Sequence, residues 1–194
     1  MIGSMETLRW AKYCAMALLL VEGTSPAYQA PAENRTRTIA AAAISGCSDS
    51  NIQGFAWLQE RPSDEGIKTV DVFVGARGMA KGKYAVHIHE RAQCEPCTSA
   101  GGHFDPGPAG NSNPDGNHPY HTGDLPNLEV NEQGVGVLWA TTTRLTLSAG
   151  PLSIFDDDGS AIVIHANSDT YCQGGEQSGC AGGARAACGR LTRQ

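Results

Sequence analysis

A chain of 194 residues that is 40% hydrophobic and 18% charged suits a single domain with a sizeable core. Its 24 glycines and 10 prolines favour a turn-rich β architecture over a helix bundle. A formal net charge of −6, with no basic stripe, excludes nucleic acid as a partner and argues against docking on an anionic membrane.

Residues 1–27 read as a secretory signal peptide. Arg9 and Lys12 precede an apolar core at 13–21, and Ser25-Pro-Ala27 supplies small residues for cleavage. The apolar core is too short to cross a bilayer, so no membrane anchor is expected. Residues 28–38 form a polar, flexible leader that includes the glycosylation sequon Asn34-Arg-Thr36, and the folded domain spans 39–194. Strand-like runs follow at 39–45, 53–60, 68–76, 83–90, 136–142 and 161–166, with turn residues between them. The run Thr69-Val-Asp-Val-Phe-Val-Gly75 alternates in part, as a half-buried strand does. A long stretch rich in Gly, Pro, Asn and Asp separates His89 from Asn127, and a second Gly-rich loop occupies 170–184. Loops of such length inside a compact domain are usually functional or tied down.

Cleavage of the signal removes Cys14 and leaves Cys47, Cys94, Cys97, Cys172, Cys180 and Cys188. An even cysteine count in an exported chain points to disulfides, whose connectivity the sequence leaves open. Cys94-Glu-Pro-Cys97 has no second C-x-x-C to make a zinc ribbon and no βαβ pattern around it, so structural pairing is the expectation.

All six histidines, His87, His89, His103, His118, His121 and His165, lie in the same stretch of the chain as these loops and strands. On a strand, His87-x-His89 points two imidazoles to one face, about 6–7 Å apart at the backbone and within reach of one metal. His118-x-x-His121-x-x-Asp124 adds two nitrogens and a carboxylate from a turn-rich stretch. Imidazole suits copper and zinc alike, and an added carboxylate suits zinc better than Cu(I).

Several of these motifs, in order, resemble the copper/zinc superoxide dismutase family from about Ile39 to Leu191. The resemblance is carried by Val86-His-Ile-His-Glu90, Cys97-Thr-Ser-Ala-Gly-Gly-His-Phe-Asp-Pro106, His121-Thr-Gly-Asp-Leu-Pro-Asn127, Ile162-Val-Ile-His165 and Gly183-Ala-Arg-Ala-Ala-Cys-Gly189. It implies an all-β fold, an eight-stranded Greek-key sandwich or flattened barrel with long metal-binding loops. It also implies copper on His87, His89, His103 and His165, and zinc on His103, His121 and Asp124, with His103 bridging the two. Arg185 becomes the guanidinium above the copper, Asp169 the carboxylate behind a ligand histidine of each metal, and Cys97–Cys188 the family disulfide. Cys172–Cys180 and Cys47–Cys94 are then the residual pairs.

The implied activity is conversion of superoxide to dioxygen and hydrogen peroxide, with Arg185 and His103 as catalytic residues, in a periplasmic or secreted protein. A homodimer is common among such proteins. The alternative is a dismutase-like protein that binds or delivers copper without turnover. Two departures stand out. Asn111 and Ser112 occupy the usual place of the third zinc histidine, which leaves His118 to serve as that ligand. Residues 170–184 carry Glu176 and no Lys or Arg, so attraction of the anion rests mainly on Arg185.

Overall fold

The computed structural model describes residues 37–48, 51–61, 66–107 and 113–194, all within the unit Arg35–Gln194. The signal segment, the sequon and the pair Asn111 and Ser112 lie outside the described residues. The described residues form ten strands: β1 (Thr38–Gly46), β2 (Gln53–Arg61), β3 (Thr69–Arg77), β4 (Gly82–Tyr84), β5 (Val86–His89), β6 (Leu128–Val130), β7 (Val135–Thr142), β8 (Ala161–His165), β9 (Arg185–Arg190) and β10 (Thr192–Arg193). The only helical element among the described residues is a 3-10 turn, Cys97–Ala100.

The strands pair antiparallel in the order β4-β6-β7-β3-β2-β1-β9-β8-β5, with β10 alongside β1. The two ends of this path, β4 and β5, are separated in the chain by Ala85 alone, so the sheet curls round almost to closure. The run expected as one strand over 83–90 therefore splits, because its first half pairs with β6 and its second with β8. If β4 with β5 and β9 with β10 are each counted as one broken strand, the expected eight are recovered.

Period-two alternation builds the core. Ala40, Ala42 and Ile44 of β1, Val70, Val72 and Val74 of β3, and Val86 and Ile88 of β5 all turn inward. In β8 every residue is buried. Ile162 and Ile164 join the main core, while Ala161 and Val163 face a second small cluster with Ala100 and Cys188. That double burial explains why β8 reads as an unbroken apolar run.

The outer face of β2, β3 and β7 is unusually apolar. Phe55 and Trp139 are 55% and 65% exposed. Phe73 stacks between them, with ring centroids 5.3 Å from Phe55 and 5.6 Å from Trp139. The rings of Phe55 and Phe73 lie over Gly75, where an added Cβ would come within 3.2 Å of Phe55.

Among the described residues three disulfides form: Cys47–Cys97, Cys94–Cys188 and Cys172–Cys180, with Cα separations of 5.9, 5.6 and 5.1 Å. The expected Cys97–Cys188 and Cys47–Cys94 pairs are thus exchanged, whereas Cys172–Cys180 is as expected. The reason is local. Cys47 leaves β1 hydrogen-bonded to the Ala186 carbonyl at 2.8 Å, which puts it next to Cys188. The 94–100 loop crosses above this pair, with Cys97 over Cys47 and Cys94 over Cys188. Either pattern staples the same loop to the same strands.

Glu60 fastens the long 143–160 connection to β2. Its Oε2 accepts the N–H groups of Leu147 (2.7 Å) and Ser148 (2.9 Å), and Lys68 lies 3.5 Å from Oε1. Burial alone would raise its pKa, but these donors and Lys68 hold it below the ordinary glutamate value. Glu60→Gln should lower stability by about 1–3 kcal/mol at neutral pH, since one buried and one half-buried N–H group lose a charged acceptor. A lowered folded pKa gives stability that is present above the unfolded value, about 4.3, and is lost as pH falls through the folded one. The difference in Tm between wild type and variant should therefore shrink on acidification below pH ~4. A pH-independent difference in thermal unfolding would contradict this role.

Candidate metal centre

The centre sits on the outer flank of the barrel beside β5. Because β5 ends the strand path, its second edge is free for pairing, and the long metal-binding loop takes it. Glu90 N–H donates to Gly102 O at 3.1 Å, Phe104 N–H to Ile88 O at 2.8 Å, and Ile88 N–H to Gly123 O at 2.9 Å. Single antiparallel bridges set His89 opposite His103 and His87 opposite Asp124. On the other edge, β8 delivers His165, which a register shift between Ile164 and His165 sets opposite Arg185 of β9. Four of the six histidines, from three separate places in the sequence, converge in this way. His121 follows in the turn that Asp124 closes, its N–H donating to Asp124 Oδ2 at 2.9 Å.

The ring nitrogens divide into two sets. In the first, His87 Nδ1 lies 3.1 Å from His165 Nε2, and His89 Nε2 lies 3.3 Å from the same atom. Each of His87, His89, His103 and His165 has one donor atom within 4.8 Å of the others'. In the second, three Nδ1 atoms surround the Asp124 carboxylate: His103 at 2.7 Å, His118 at 3.0 Å and His121 at 3.3 Å. Donor atoms of His87, His103, His118 and Asp124 also lie within 4.8 Å of one another. His87 enters this group by proximity, since its Nδ1 is directed at His165 and its Nε2 at Asp169.

The outward nitrogens are held by neighbours. His89 Nδ1 meets Gly101 O at 3.0 Å, and His165 Nδ1 meets Gly183 O at 2.9 Å. Asp169 Oδ2 lies between His87 Nε2 (3.1 Å) and His118 Nε2 (2.7 Å), bridging the two sets. Such partners fix tautomer and ring orientation and aim the other nitrogen at a metal. Three inward nitrogens, His103 Nε2, His118 Nδ1 and His121 Nδ1, are buried without a hydrogen-bond partner. His118 and His121 approach Asp124 closely but out of hydrogen-bond alignment. Orphaned buried nitrogens are costly unless something else satisfies them, and a cation in each set would do so. The donor sets fit copper or zinc in the first and zinc in the second.

Electrostatics agree with this division. Burial, followed by repulsion from His103, lowers His87 to about 3. Burial lowers His165 to about 4, with His103 and Arg185 adding to the effect. Burial also keeps His89 well below the usual imidazole value. All three rings are neutral at pH 7, with lone pairs ready for a cation. His118 behaves oppositely: burial would lower it, but Asp124 and Asp169 raise it to about 9. Without a metal it carries a proton between two carboxylates.

Arg185 begins β9. Its guanidinium donates to the carbonyls of Cys97 (2.6 Å) and Gly101, and it helps depress both His89 and His165. Gly101 has a φ of 76°, where an added Cβ would strike the Glu90 side chain. Its carbonyl serves both Arg185 and His89. The structure therefore brings together every residue singled out from the sequence for the metals, as well as Asp169 and Arg185.

One contributor escaped the sequence reading. Asn127 clamps the Asp169 backbone, accepting its N–H at 2.8 Å and donating to its C=O at 3.0 Å. Asn127 closes the motif His121-Thr-Gly-Asp-Leu-Pro-Asn127, so the signal was present without a role attached. No helix among the described residues is long and apolar enough to cross a membrane.

Comparison with known proteins points the same way. The family described as copper/zinc superoxide dismutase (SODC) matches residues 52–191. A Cu-Zn superoxide dismutase of Deinococcus radiodurans is 39% identical over 114 residues, which is 52% of this chain and 59% of that protein. The chain thus spans less than two thirds of that relative. A second Cu-Zn superoxide dismutase of Aquifex aeolicus is 38% identical over 73% of this chain and 80% of its own length. The superoxide dismutase-like protein YojM of Bacillus subtilis is also 38% identical, over 71% of this chain and 68% of its own. Among solved structures, the clock protein EA4 superposes with a TM-score of 0.62 at 27% identity, covering 81% of this chain and 94% of that one. Fold, donor geometry and sequence agree, and the chain belongs to the copper/zinc superoxide dismutase family.

Proposed function

We propose that the protein is an exported superoxide dismutase holding copper at His87, His89, His103 and His165 and zinc at His103, His118, His121 and Asp124. The observation that carries this reading is the division of His103. Its Nδ1 lies 2.7 Å from Asp124, while its Nε2 is buried and unpartnered among the other three rings of the first set. One imidazole thus serves two cation sites. Copper, when bound, supplies the one-electron chemistry by which two superoxide ions and two protons become dioxygen and hydrogen peroxide. Zinc has no redox chemistry and suits the four-donor set around Asp124.

The chain's own residues do the rest. His103 Nε2 is the atom at which a proton is held or released next to the reacting anion, and Asp124 keeps that ring oriented through Nδ1. Arg185, locked by two backbone carbonyls, presents a fixed positive charge beside His89 and His165. A fixed cation in a cleft gives a small anion a favourable local potential despite a net charge of −6. The similarity to a protein named only as dismutase-like favours one competing reading, copper binding without turnover. In that reading Arg185 would serve only to hold the Gly101 carbonyl that orients His89, and its charge would have no use.

Inhibition of cytochrome reduction by superoxide, read together with the Cu(II) paramagnetic resonance spectrum, separates the two. The copper-loaded wild type should score in both. Arg185→Glu should keep the copper spectrum while losing on the order of tenfold or more in activity at low salt. Arg185→Lys should be milder, because the charge survives without the planar fork. A copper-loaded wild type without activity would establish the non-catalytic reading.

His118 carries the second prediction. Partners that only orient a ligand are worth about 10–100-fold in metal affinity, so loss of a direct ligand should exceed that. His118→Ala should lose zinc and thermal stability while retaining copper through His87, His89 and His165. Equal zinc content in wild type and variant would remove His118 from the ligand set.

Export rests on the signal-like first 27 residues and the three disulfides, and extracellular relatives in Drosophila melanogaster and Caenorhabditis elegans support it. A second copy of the chain is the proposed cover for the aromatic face of β2, β3 and β7. The groove there is lined by Phe55, Trp57, Phe73 and Trp139, with Glu95 and Arg190 as the charged side chains among its described lining residues. Being opposite in sign, they can pair across a twofold axis. Denatured mass spectrometry of exported protein should give a chain starting near Tyr28, and native mass spectrometry twice that mass. A start at Met1 would refute export, and a monomer at micromolar concentration would refute the dimer.

A further inference from the structure

A cavity of about 330 Å³ reaches His165, between the metal-binding loop and the loop that closes with Cys172–Cys180. Pro114 and Asp115 form one wall; Ser178, Gly179, Ala181, Gly183 and Ala184 form the other. Asp115 crosses between the walls. Its Oδ2 accepts the Gly179 N–H at 2.7 Å and its Oδ1 the Ala181 N–H at 3.0 Å. Both oxygens are therefore engaged, by two N–H groups that a turn at 177–182 directs the same way. That turn is closed by Cys180 N–H to Gln177 O (2.9 Å) and Gly182 N–H to Gly179 O (3.1 Å). Hydrogen bonds to a carboxylate are the stronger kind.

We propose that Asp115 is a positioning residue, an internal anion that pins the 177–182 turn to the metal-binding loop and so fixes the wall of the cavity reaching His165. On the other side the turn is held by Cys172–Cys180 and by Thr170 N–H to Cys180 O at 3.0 Å. Asp115 ties it to the segment that carries His118 through two short bonds, beside a longer one from Asn117 N–H to Glu176 Oε1 at 3.4 Å. The short stretch from Asp115 to His118 thus does two things: it places His118 between Asp124 and Asp169, and it sets the entrance beside His165. Occupying the two N–H groups also withholds them from diffusing anions, leaving Arg185 as the positive feature that an entering anion meets. The role at the entrance rests on the proposed dismutase reading; the pinning of the turn does not.

The test uses copper- and zinc-loaded wild type, Asp115→Ala and Asp115→Asn, read by amide hydrogen exchange and by azide titration of the Cu(II) spectrum. Neither readout needs turnover, so a failed dismutase assay and a failed Asp115 assignment are distinguishable. Exchange across 177–182 should be faster by about tenfold or more in Asp115→Ala, because two charge-assisted hydrogen bonds are lost, while the barrel strands stay protected. The azide-free copper spectrum should be unchanged, and azide affinity should shift severalfold. Formate, as a free carboxylate, should restore protection in Asp115→Ala and do nothing to the wild type. If Asp115→Ala fails to fold, Asp115→Asn, which keeps the size and one acceptor, should show the same changes in smaller degree. Unchanged exchange and azide affinity, or loosening spread evenly over the barrel, would overturn the proposal.

Discussion

The rest of the structure answers to one constraint. Six histidines and the carboxylates of Asp124 and Asp169 are buried together on the flank of an apolar barrel. A buried polar atom without a partner costs roughly 1–3 kcal/mol, and a buried charge costs more. Every outward atom of the cluster must therefore meet a donor or acceptor at a fixed place. Asp169, Asn127, Gly101, Gly183 and the backbone around Asp124 supply those places. What they leave open is the inward set of nitrogens, which is where a cation is needed.

Rigid strands meet this demand more easily than loops, and the sheet provides the frame. β5 and β8 each turn one face to the core and present histidines from the other, so core packing and ligand direction are set by the same alternation. The loops then have to be made nearly as stiff. The metal-binding loop pairs with the edge of β5, the 94–100 loop is stapled to β1 and β9, and Glu60 anchors the crossing at 147–148. Arg185 participates in this stiffening as well as in charge. It grips the same Gly101 carbonyl that orients His89, so the cation and one ligand share a support.

Much of this was legible in the sequence because it depends on local periodicity. His87-x-His89 on an alternating strand could point only one way, and the Gly- and Pro-rich intervals marked the loops. The break at Ala85 was not legible. Nothing in residues 83–90 signals that pairing passes from β6 to β8, since that is a property of the closing sheet. Disulfide connectivity was hidden for a related reason. Cys94 and Cys97 sit close together above Cys47 and Cys188, and the choice between partners is made by how the loop lies. His118 could be singled out by elimination, but its placement between Asp124 and Asp169 comes from the fold of its loop. Asp115 went unremarked because its partners are backbone N–H groups, which carry no residue type.

The exchanged pairing also has a consequence for the chain before it folds. Cys47–Cys97 and Cys94–Cys188 close loops of 50 and 94 residues that overlap only across the C-x-x-C segment. An oxidised but unfolded chain is then a figure of eight, two large rings joined at a four-residue waist. On the chain-entropy model each closure removes about 4–5 kcal/mol of disorder from that state. Opening either ring leaves the other closed, and the waist stays tethered to one strand of the barrel.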